Sequence, residues 1–152
     1  MHKCKQESEL KMSWHYTTGK NFVGICDSKY IKPATTGVIP PEKPIVWFST
    51  HEYYEPTAQK MKKDGSIASI DELFILGSGL VRFGLPVNRL IHWNKFKCKA
   101  RMHESVVRGL EDTGRSQGAD PQQWYGLMRK VPIKECLRVD VMDANKQWVR
   151  VK

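Results

Sequence analysis

Residues 15–17 form the first stretch of the chain whose side chains could hold a ligand. They are His15, Tyr16 and Thr17, on a predicted strand over 13–17 that is broken by Thr18-Gly19. An imidazole at the end of a strand can hydrogen-bond a ligand hydroxyl, and the next backbone groups can pair with a ligand amide. An isolated histidine is also commonly a structural or surface residue, so this stretch by itself leaves its role open.

A second candidate stretch follows an apolar segment over 45–49 that is predicted to be a buried strand. It combines two hydroxyls with two phenol rings, those of Ser49, Thr50, Tyr53 and Tyr54. A tyrosine ring can stack on a planar heteroaromatic ring, and hydroxyls can orient a ribose. The same residues could instead cap a helix through Ser49 or Thr50 and pack into an aromatic core.

A third stretch carries cations at every second position, which are Lys95, Lys97, Lys99 and Arg101. Because side chains alternate between the two faces of a strand, an extended chain would place all four on one face. Such a row could follow a nucleic-acid backbone. A solvated strand face, or a sheet edge protected by lysine, explains the pattern equally well.

Composition and charge limit the class of protein. The 152 residues are 40% hydrophobic and 10% aromatic, which excludes a wholly disordered chain, and the length fits one domain. The formal net charge is +9, with 10 basic and 9 acidic side chains in 1–76 but 15 and 7 in 77–152. The basic half favours an anionic partner such as nucleic acid, a phosphate-bearing cofactor or an acidic protein, and solubility alone is the alternative.

Residues 1–12 are predicted to be a polar, disordered leader before a single domain over 13–152. The leader lacks the apolar stretch of a secretory signal, and no later run approaches the roughly 18–20 apolar residues that span a bilayer. The cysteines are dispersed and form no CxxC pair: Cys4, Cys26, Cys98 and Cys136. We therefore expect free thiols, no metal site, no membrane association and a cytoplasmic location.

The hydrophobic pattern predicts an α+β fold with six or seven short strands and about three short helices. The expected strands cover 13–17, 45–49, 79–84, 88–96, 124–128 and 137–141, with a hairpin to 151, and the expected helices cover 22–28, 56–62 and 100–110. The helices are too few and too early for regular βαβ repeats. A mixed or mostly antiparallel sheet is therefore favoured.

The order of these blocks resembles the ADP-ribosyltransferase-like superfamily. The first block is a strand with His15-Tyr16-Thr17, which is followed by a short helix and the extended residues 31–33. Next comes an apolar strand that ends in Ser49-Thr50 and is followed by tyrosines. A later strand leads to Val131-Pro132. The likeness spans roughly residues 13–142 and is closest to small bacterial and phage members, including DNA-modifying toxins. It implies a sheet split around a cleft and NAD as the cofactor.

The resemblance also implies a role for each matching residue. His15 would hydrogen-bond the nicotinamide ribose, and the backbone at Tyr16 and Thr17 would hold the carboxamide. Ser49 and Thr50 would support the cleft, and Tyr53 or Tyr54 would stack on nicotinamide. In this superfamily nicotinamide is displaced through an oxocarbenium-like transition state, and an acid usually binds the ribose hydroxyls and activates the acceptor.

The acid itself is where this chain departs from the superfamily. Alignment through Val131-Pro132 puts Gln123 or Trp124 at the place of the usual glutamate. Gln123 can hydrogen-bond a ribose hydroxyl but cannot act as a base, so Glu104, Glu52 or Glu55 are possible substitutes. Members that transfer an RNA 2′-phosphate work without the acid through Arg and His residues, for which Arg82 and His92 are the possible counterparts.

Two functions follow from these patterns. The first is an NAD-dependent ADP-ribosyltransferase acting on a nucleic-acid or protein acceptor, with Gln123 and Glu104 as candidate catalytic residues. The second is a catalytically degenerate member of that fold that binds nucleic acid or an acidic protein without turnover, through Lys95, Lys97, Lys99 and Arg101.

Overall fold

Strands and helices are interspersed along residues 10–152, which are the part of the chain that this computed structural model describes. The strands are β1 (Met12–Thr18), β2 (Tyr30–Ile31), β3 (Val46–Ser49), β4 (Leu80–Pro86), β5 (Ile91–His92), β6 (Trp124–Leu127), β7 (Val131–Pro132), β8 (Arg138–Met142) and β9 (Trp148–Arg150). Seven of them form one sheet in the order β5-β6-β3-β1-β4-β8-β9, and β2 pairs with β7 in a separate small sheet. Every strand pairing in the described residues is antiparallel.

Four helices lie among these strands: α1 (Gly19–Ser28), α2 (Ile70–Leu76), α3 (Trp93–Lys99) and α4 (Glu104–Ser116). Each helix is preceded by an N-cap residue whose side chain accepts a hydrogen bond from a backbone N–H of the first turn. These residues are Thr18, Ser69, His92 and His103. Such caps satisfy backbone N–H groups that have no partner inside the helix. The described residues therefore form one small α+β domain with an antiparallel sheet, as the hydrophobic pattern predicts.

The sheet parts between its two central strands. β1 pairs with β4 along all seven of its residues, whereas β1 and β3 share only the pair Trp14 and Ser49. Where these two strands separate, the His15 side chain takes the place of a ladder bond, with Nδ1 2.8 Å from the carbonyl oxygen of Trp47. Beyond this pair, β1 and β3 therefore leave an opening between them in the sheet.

The buried residues form three clusters that fix the walls of this opening. One packs β3, β4 and the small sheet around Phe48 and Phe83, and another packs β1 and α2 around Trp14 and Leu73. The third joins α3 to the start of β6 around Trp93 and Trp124. Because α3 and β6 share this aromatic cluster, the segment that follows α3 is held close to β3.

The predicted strand over 88–96 is wrong beyond β5, and this changes the geometry of the cation row. Trp93, Phe96 and Ala100 are fully buried, a spacing that places one helical face in the third cluster, and His92 caps the helix. Lys95 and Lys99 are four residues apart and lie on one side of α3, whereas Lys97 lies on the other side. Arg101 follows the helix with a left-handed φ of 57°. These four cations do not form a single extended face.

All three expected helices differ from their predicted bounds, and the one expected over 22–28 is α1, which begins earlier, at Gly19. The helix expected over 100–110 is α4, which begins later because the chain turns at Arg101, and which runs on to Ser116. The helix expected over 56–62 is only a 3₁₀ turn over Pro56–Ala58. Helix α2 was not predicted, although Ser69 and Glu72 form a capping box at its start. The strands expected over 13–17, 45–49, 79–84, 124–128 and 137–141 are confirmed.

The three described cysteines are thiols: Cys26 and Cys98 are exposed, and Cys136 is buried. Burial raises the pKa of the Cys136 thiol to about 11, so it stays protonated near neutral pH. Cys4 and most of the predicted leader lie outside the described residues. Within residues 10–152 no helix has the length and apolar character needed to cross a membrane, and no cluster of side chains suited to a metal ion is found.

Candidate active site

A cleft of about 610 Å³ lies beside the opening between β1 and β3. Its floor comes from these two strands, and its walls come from the loop over 34–43, the 3₁₀ turn over 56–58, α4 and the start of β6. Most of the lining is apolar or aromatic, with a few polar groups, which is the usual composition of a small-molecule pocket. Its polar lining includes His15, Ser49 and Glu55, together with Glu42 and Lys43 on the loop over 34–43.

His15 is held in one orientation and one protonation state. Because a carbonyl oxygen only accepts hydrogen bonds, the contact between Nδ1 and the Trp47 carbonyl requires the proton on Nδ1. Burial lowers the pKa of His15, and the hydrogen bond to Trp47 opposes this shift more weakly. The imidazole is therefore neutral near pH 7, and its Nε2 lone pair can accept a hydrogen bond from a hydroxyl in the cleft.

Glu55 supplies a buried carboxyl group to the same cleft. Only 6% of the residue is exposed, and Oε1 accepts a hydrogen bond of 2.8 Å from the indole Nε1 of Trp124. The other oxygen, Oε2, is buried and has no hydrogen-bond partner among the described residues. Burial raises the pKa of Glu55, while the Trp124 hydrogen bond and, more weakly, the nearby Thr57 and Ser49 oppose the shift. Neither Thr57 nor Ser49 is close enough or well enough aligned to make a hydrogen bond to Oε2. A buried carboxyl oxygen without a partner is costly unless a ligand or water satisfies it.

Local sequence explains how Glu55 reaches the cleft. Ser49 at the end of β3 accepts a hydrogen bond from the N–H of His51, and the His51 ring accepts from the N–H groups of Tyr53 and Tyr54. These contacts tighten the chain after β3, and Pro56 then begins the 3₁₀ turn. Glu55 is therefore held between a compact turn and a proline, with its side chain directed at Trp124.

Aromatic rings form one wall of the cleft. Trp47 and Trp124 both line it, and their rings meet edge to face with centroids 6.1 Å apart. Trp93 and Phe96 pack behind them, with centroids 5.8 and 5.2 Å from that of Trp47. A ring fixed in this way offers a rigid face to a planar ligand.

A second cavity of about 260 Å³ lies next to the first, and His15 borders both. Its other lining residues include Thr17, Asn21, Ser28, Tyr30 and Lys32, which come from β1, α1 and β2. This lining is more polar than that of the main cleft. The two cavities therefore meet at His15, and the second one adds polar groups and a cation to the surroundings of this residue.

The structure brings only some of the predicted ligand-binding residues to the cleft. His15, Tyr16 and Ser49 line it, and Thr17 lines the second cavity. Thr50 is buried, but its N–H donates to the carbonyl of Gln123 and so joins the end of β3 to the start of β6.

The two tyrosines expected to stack on a ligand do not line either cavity. The Tyr54 ring is buried against Tyr16, with centroids 4.7 Å apart, and the Tyr16 hydroxyl donates to the carbonyl of His51. The Tyr53 hydroxyl instead donates to the carbonyl of Lys146, near the hairpin of β8 and β9. Trp47 and Trp124 supply the aromatic surface that the sequence pattern assigned to Tyr53 or Tyr54.

Neither predicted catalytic residue lines the cleft. Gln123 ends a 3₁₀ turn over Pro121–Gln123, and its carbonyl accepts from Thr50. Glu104 is exposed in the first turn of α4, where a carboxylate is favoured by the helix dipole. Glu52 is also exposed. Of the acids that the sequence offered as substitutes, Glu55 is the one in the cleft.

The possible Arg and His counterparts have structural contacts instead. Arg82 is 7% exposed and pairs with Asp140, and it does not line the cleft. Nε2 of His92 lies 2.8 Å from the carbonyl oxygen of Gln122, and its Nδ1 caps α3 by accepting from Asn94. Both side chains are therefore engaged in holding the fold.

No protein-family description, curated protein or solved structure matches this chain. The resemblance to the ADP-ribosyltransferase-like superfamily therefore stays a prediction that rests on the sequence blocks given above.

Two glycines of α4 test how firmly this helix fixes Trp124. A Cβ atom at Gly114 would lie 2.6 Å from Cζ2 of Trp124, whereas a Cβ at Gly109 would meet nothing within 4 Å. We expect Gly114→Ala to lower the free energy of unfolding by about 1–3 kcal/mol through overpacking. The matched control, Gly109→Ala, is expected to raise it by about 0.5–1 kcal/mol because alanine favours a helix. Denaturant unfolding measures both, and equal effects of the two substitutions would contradict the contact.

Proposed function

We propose that this chain transfers ADP-ribose from NAD to an acceptor, and that Glu55 is the acid of the reaction. The single observation that carries the proposal is the buried Glu55 carboxyl group with one oxygen that lacks a partner, in the same cleft as a neutral His15. The resemblance of the blocks around His15 and Ser49 supplies the reaction class.

The residues present fit NAD. The main cleft falls within the roughly 300–1,000 Å³ typical of ligand pockets. Trp47 offers an aromatic face to a planar pyridinium ring, and Glu55 offers a negative charge near that positive ring. The second cavity, which shares His15 with the main cleft, offers Asn21 and Lys32, and these suit the polar and phosphate groups of a dinucleotide.

NAD, when bound, supplies a ribose that is activated at its bond to nicotinamide. His15 would accept a hydrogen bond from a ribose hydroxyl at Nε2, because its other nitrogen is committed to Trp47. Glu55 would accept a hydrogen bond at Oε2 and take the proton of the attacking acceptor. A carboxyl group whose pKa lies above its ordinary value is a stronger base than an ordinary glutamate, and general-base catalysis contributes about 10²–10⁴ in rate. Trp124 holds the other oxygen and so fixes the direction of Oε2.

The proposal is tested by incubating the protein with NAD labelled in its adenosine part, together with protein and single-stranded DNA acceptors. We expect quenching of tryptophan fluorescence as NAD enters beside Trp47 and Trp124, release of nicotinamide, and label on one of the acceptors. Quenching without nicotinamide release would favour the alternative of a binding module without turnover. Neither quenching nor release would overturn the proposal.

A further inference from the structure

Five exposed lysines from three distant parts of the chain meet around the small sheet of β2 and β7. This lysine cluster consists of Lys29, Lys32, Lys130, Lys134 and Lys152. We infer that it is a surface that binds the phosphate backbone of a nucleic acid. The inference goes beyond the proposed reaction and does not depend on it.

Backbone and side-chain contacts hold these lysines together. Lys29 and Lys32 flank β2, and Lys130 and Lys134 flank β7, while Tyr30 pairs with Pro132 across the sheet. The N–H of Ile133 donates to the carbonyl of Lys29 over 3.0 Å. Nζ of Lys152 lies 3.4 Å from the carbonyl oxygen of Ile133, so the third segment joins the same surface.

The charges of the cluster are not neutralised within the described residues. None of its five ammonium groups lies within 4.0 Å of a carboxylate. The neighbouring acids are Glu135, which pairs with Arg129 over 3.2 Å, and Asp27, which is exposed on α1. The excess positive charge is therefore available to an anionic partner.

The surface suits a nucleic acid better than a folded protein. Protein interfaces generally centre on exposed apolar or aromatic side chains and are depleted in lysine. Here Ile31 and Val131 are buried beneath the small sheet, and the ring of Tyr30 is covered by Nζ of Lys130 at 4.2 Å. Ammonium groups along two short strands match instead the regular negative charges of a phosphate backbone. Lys32 also lines the second cavity, so the cluster continues to the edge of the candidate active site.

The test compares two triple variants that each remove three positive charges. The cluster variant carries Lys29→Gln, Lys130→Gln and Lys134→Gln and leaves Lys32 in place. The α3 variant changes three of the cations that the sequence pattern singled out on and just after α3, and it carries Lys95→Gln, Lys99→Gln and Arg101→Gln. Binding to a fluorescent single-stranded DNA of about 20 nucleotides is measured by anisotropy, without NAD, between about 50 and 200 mM salt, a range over which phosphate contacts weaken strongly.

We expect the cluster variant to reduce the slope of log K against log salt by about 2, because each lost contact to single-stranded DNA removes about 0.7. The α3 variant is expected to keep the slope of the unsubstituted protein. The opposite result, or binding that does not change with salt, would overturn the inference. So would tighter binding to polyglutamate than to DNA, since that would indicate an acidic protein partner. Glu55→Gln is expected to bind DNA normally, which separates this result from the outcome of the NAD experiment.

Discussion

Glu55→Gln is expected to lower the rate of nicotinamide release by about 10²–10³-fold, since it removes the buried acid that Trp124 holds in the cleft. Glu42 also lines the cleft, from the loop over 34–43, but it is less deeply buried than Glu55. The amide can still accept the hydrogen bond from Trp124, so the change removes the base and leaves the packing in place. The measurement is the rate of nicotinamide release at saturating NAD.

Two matched substitutions act as controls for this loss of rate. Glu52→Gln and Glu104→Gln make the same chemical change at exposed positions outside the cleft, and we expect both to keep at least half of the activity. Loss of activity in Glu104→Gln with retention in Glu55→Gln would restore the original assignment from sequence. Equal activity in all three variants would show that none of these acids serves as the base.

The melting temperature of Glu55→Gln shows whether this variant folds. The direction in which it should change follows from the raised pKa of Glu55. The unfolded carboxyl group ionises at a lower pH than the folded one, so the folded protein loses stability as pH rises from the unfolded pKa to the folded pKa. Above the pKa of Glu55 in the folded protein, the whole of this loss of stability is present. We therefore expect Glu55→Gln to melt at a higher temperature than the unsubstituted protein near pH 8, with the difference shrinking as the pH falls toward about 4. A lower melting temperature near pH 8 would mean that the loss of activity reflects misfolding.

Arg82→Met is expected to reduce the free energy of unfolding by about 3 kcal/mol or more, because it leaves the fully buried Asp140 without its main partner. Nε of Arg82 donates to Oδ2 of Asp140 over 2.8 Å, and Nη1 donates to the carbonyl of Glu52 over 2.6 Å. The guanidinium also lies 3.8 Å from the ring centroid of Trp14 and 4.6 Å from that of Trp148. Since folded domains are stable by only about 5–15 kcal/mol, this is a large fraction. Denaturant unfolding gives the value.

Two further variants separate charge burial from lost packing. Arg82→Met combined with Asp140→Leu removes both buried charges, and we expect it to regain most of the stability lost in the single variant. Arg138, which also bonds Asp140, is partly exposed and can turn to water. Arg115→Met breaks only exposed contacts of 3.6 and 3.7 Å and is expected to cost less than about 1 kcal/mol. An equal loss in Arg82→Met and Arg115→Met would contradict the role of the buried pair.

Much of the fold could be predicted from local patterns. The alternation of Leu137, Val139 and Val141 with charged residues predicted β8, because a strand with one buried face has an apolar residue at every second position. The apolar run over 45–49 predicted β3, because a strand buried on both faces is apolar throughout. The stretch over 93–100 could not be assigned in this way. Its lysines suggest a strand at period two, whereas burial of Trp93, Phe96 and Ala100 in the aromatic cluster stabilises a helix.

The candidate site was predictable only in part, and the reason is the distance along the chain between its members. The types and order of residues determined that His15 and Ser49 would each lie on a strand and that position 123 holds no acid. The structure decided that these two strands are neighbours. Only the tertiary structure decided that Glu55, 69 residues before Trp124, bonds its indole and stands in the cleft, and that Tyr53 and Tyr54 turn away from it. Only the tertiary structure likewise showed that the five lysines of the cluster lie together. Side-chain periodicity reports the faces of single elements, whereas contacts between distant segments depend on how the sheet assembles and where it parts.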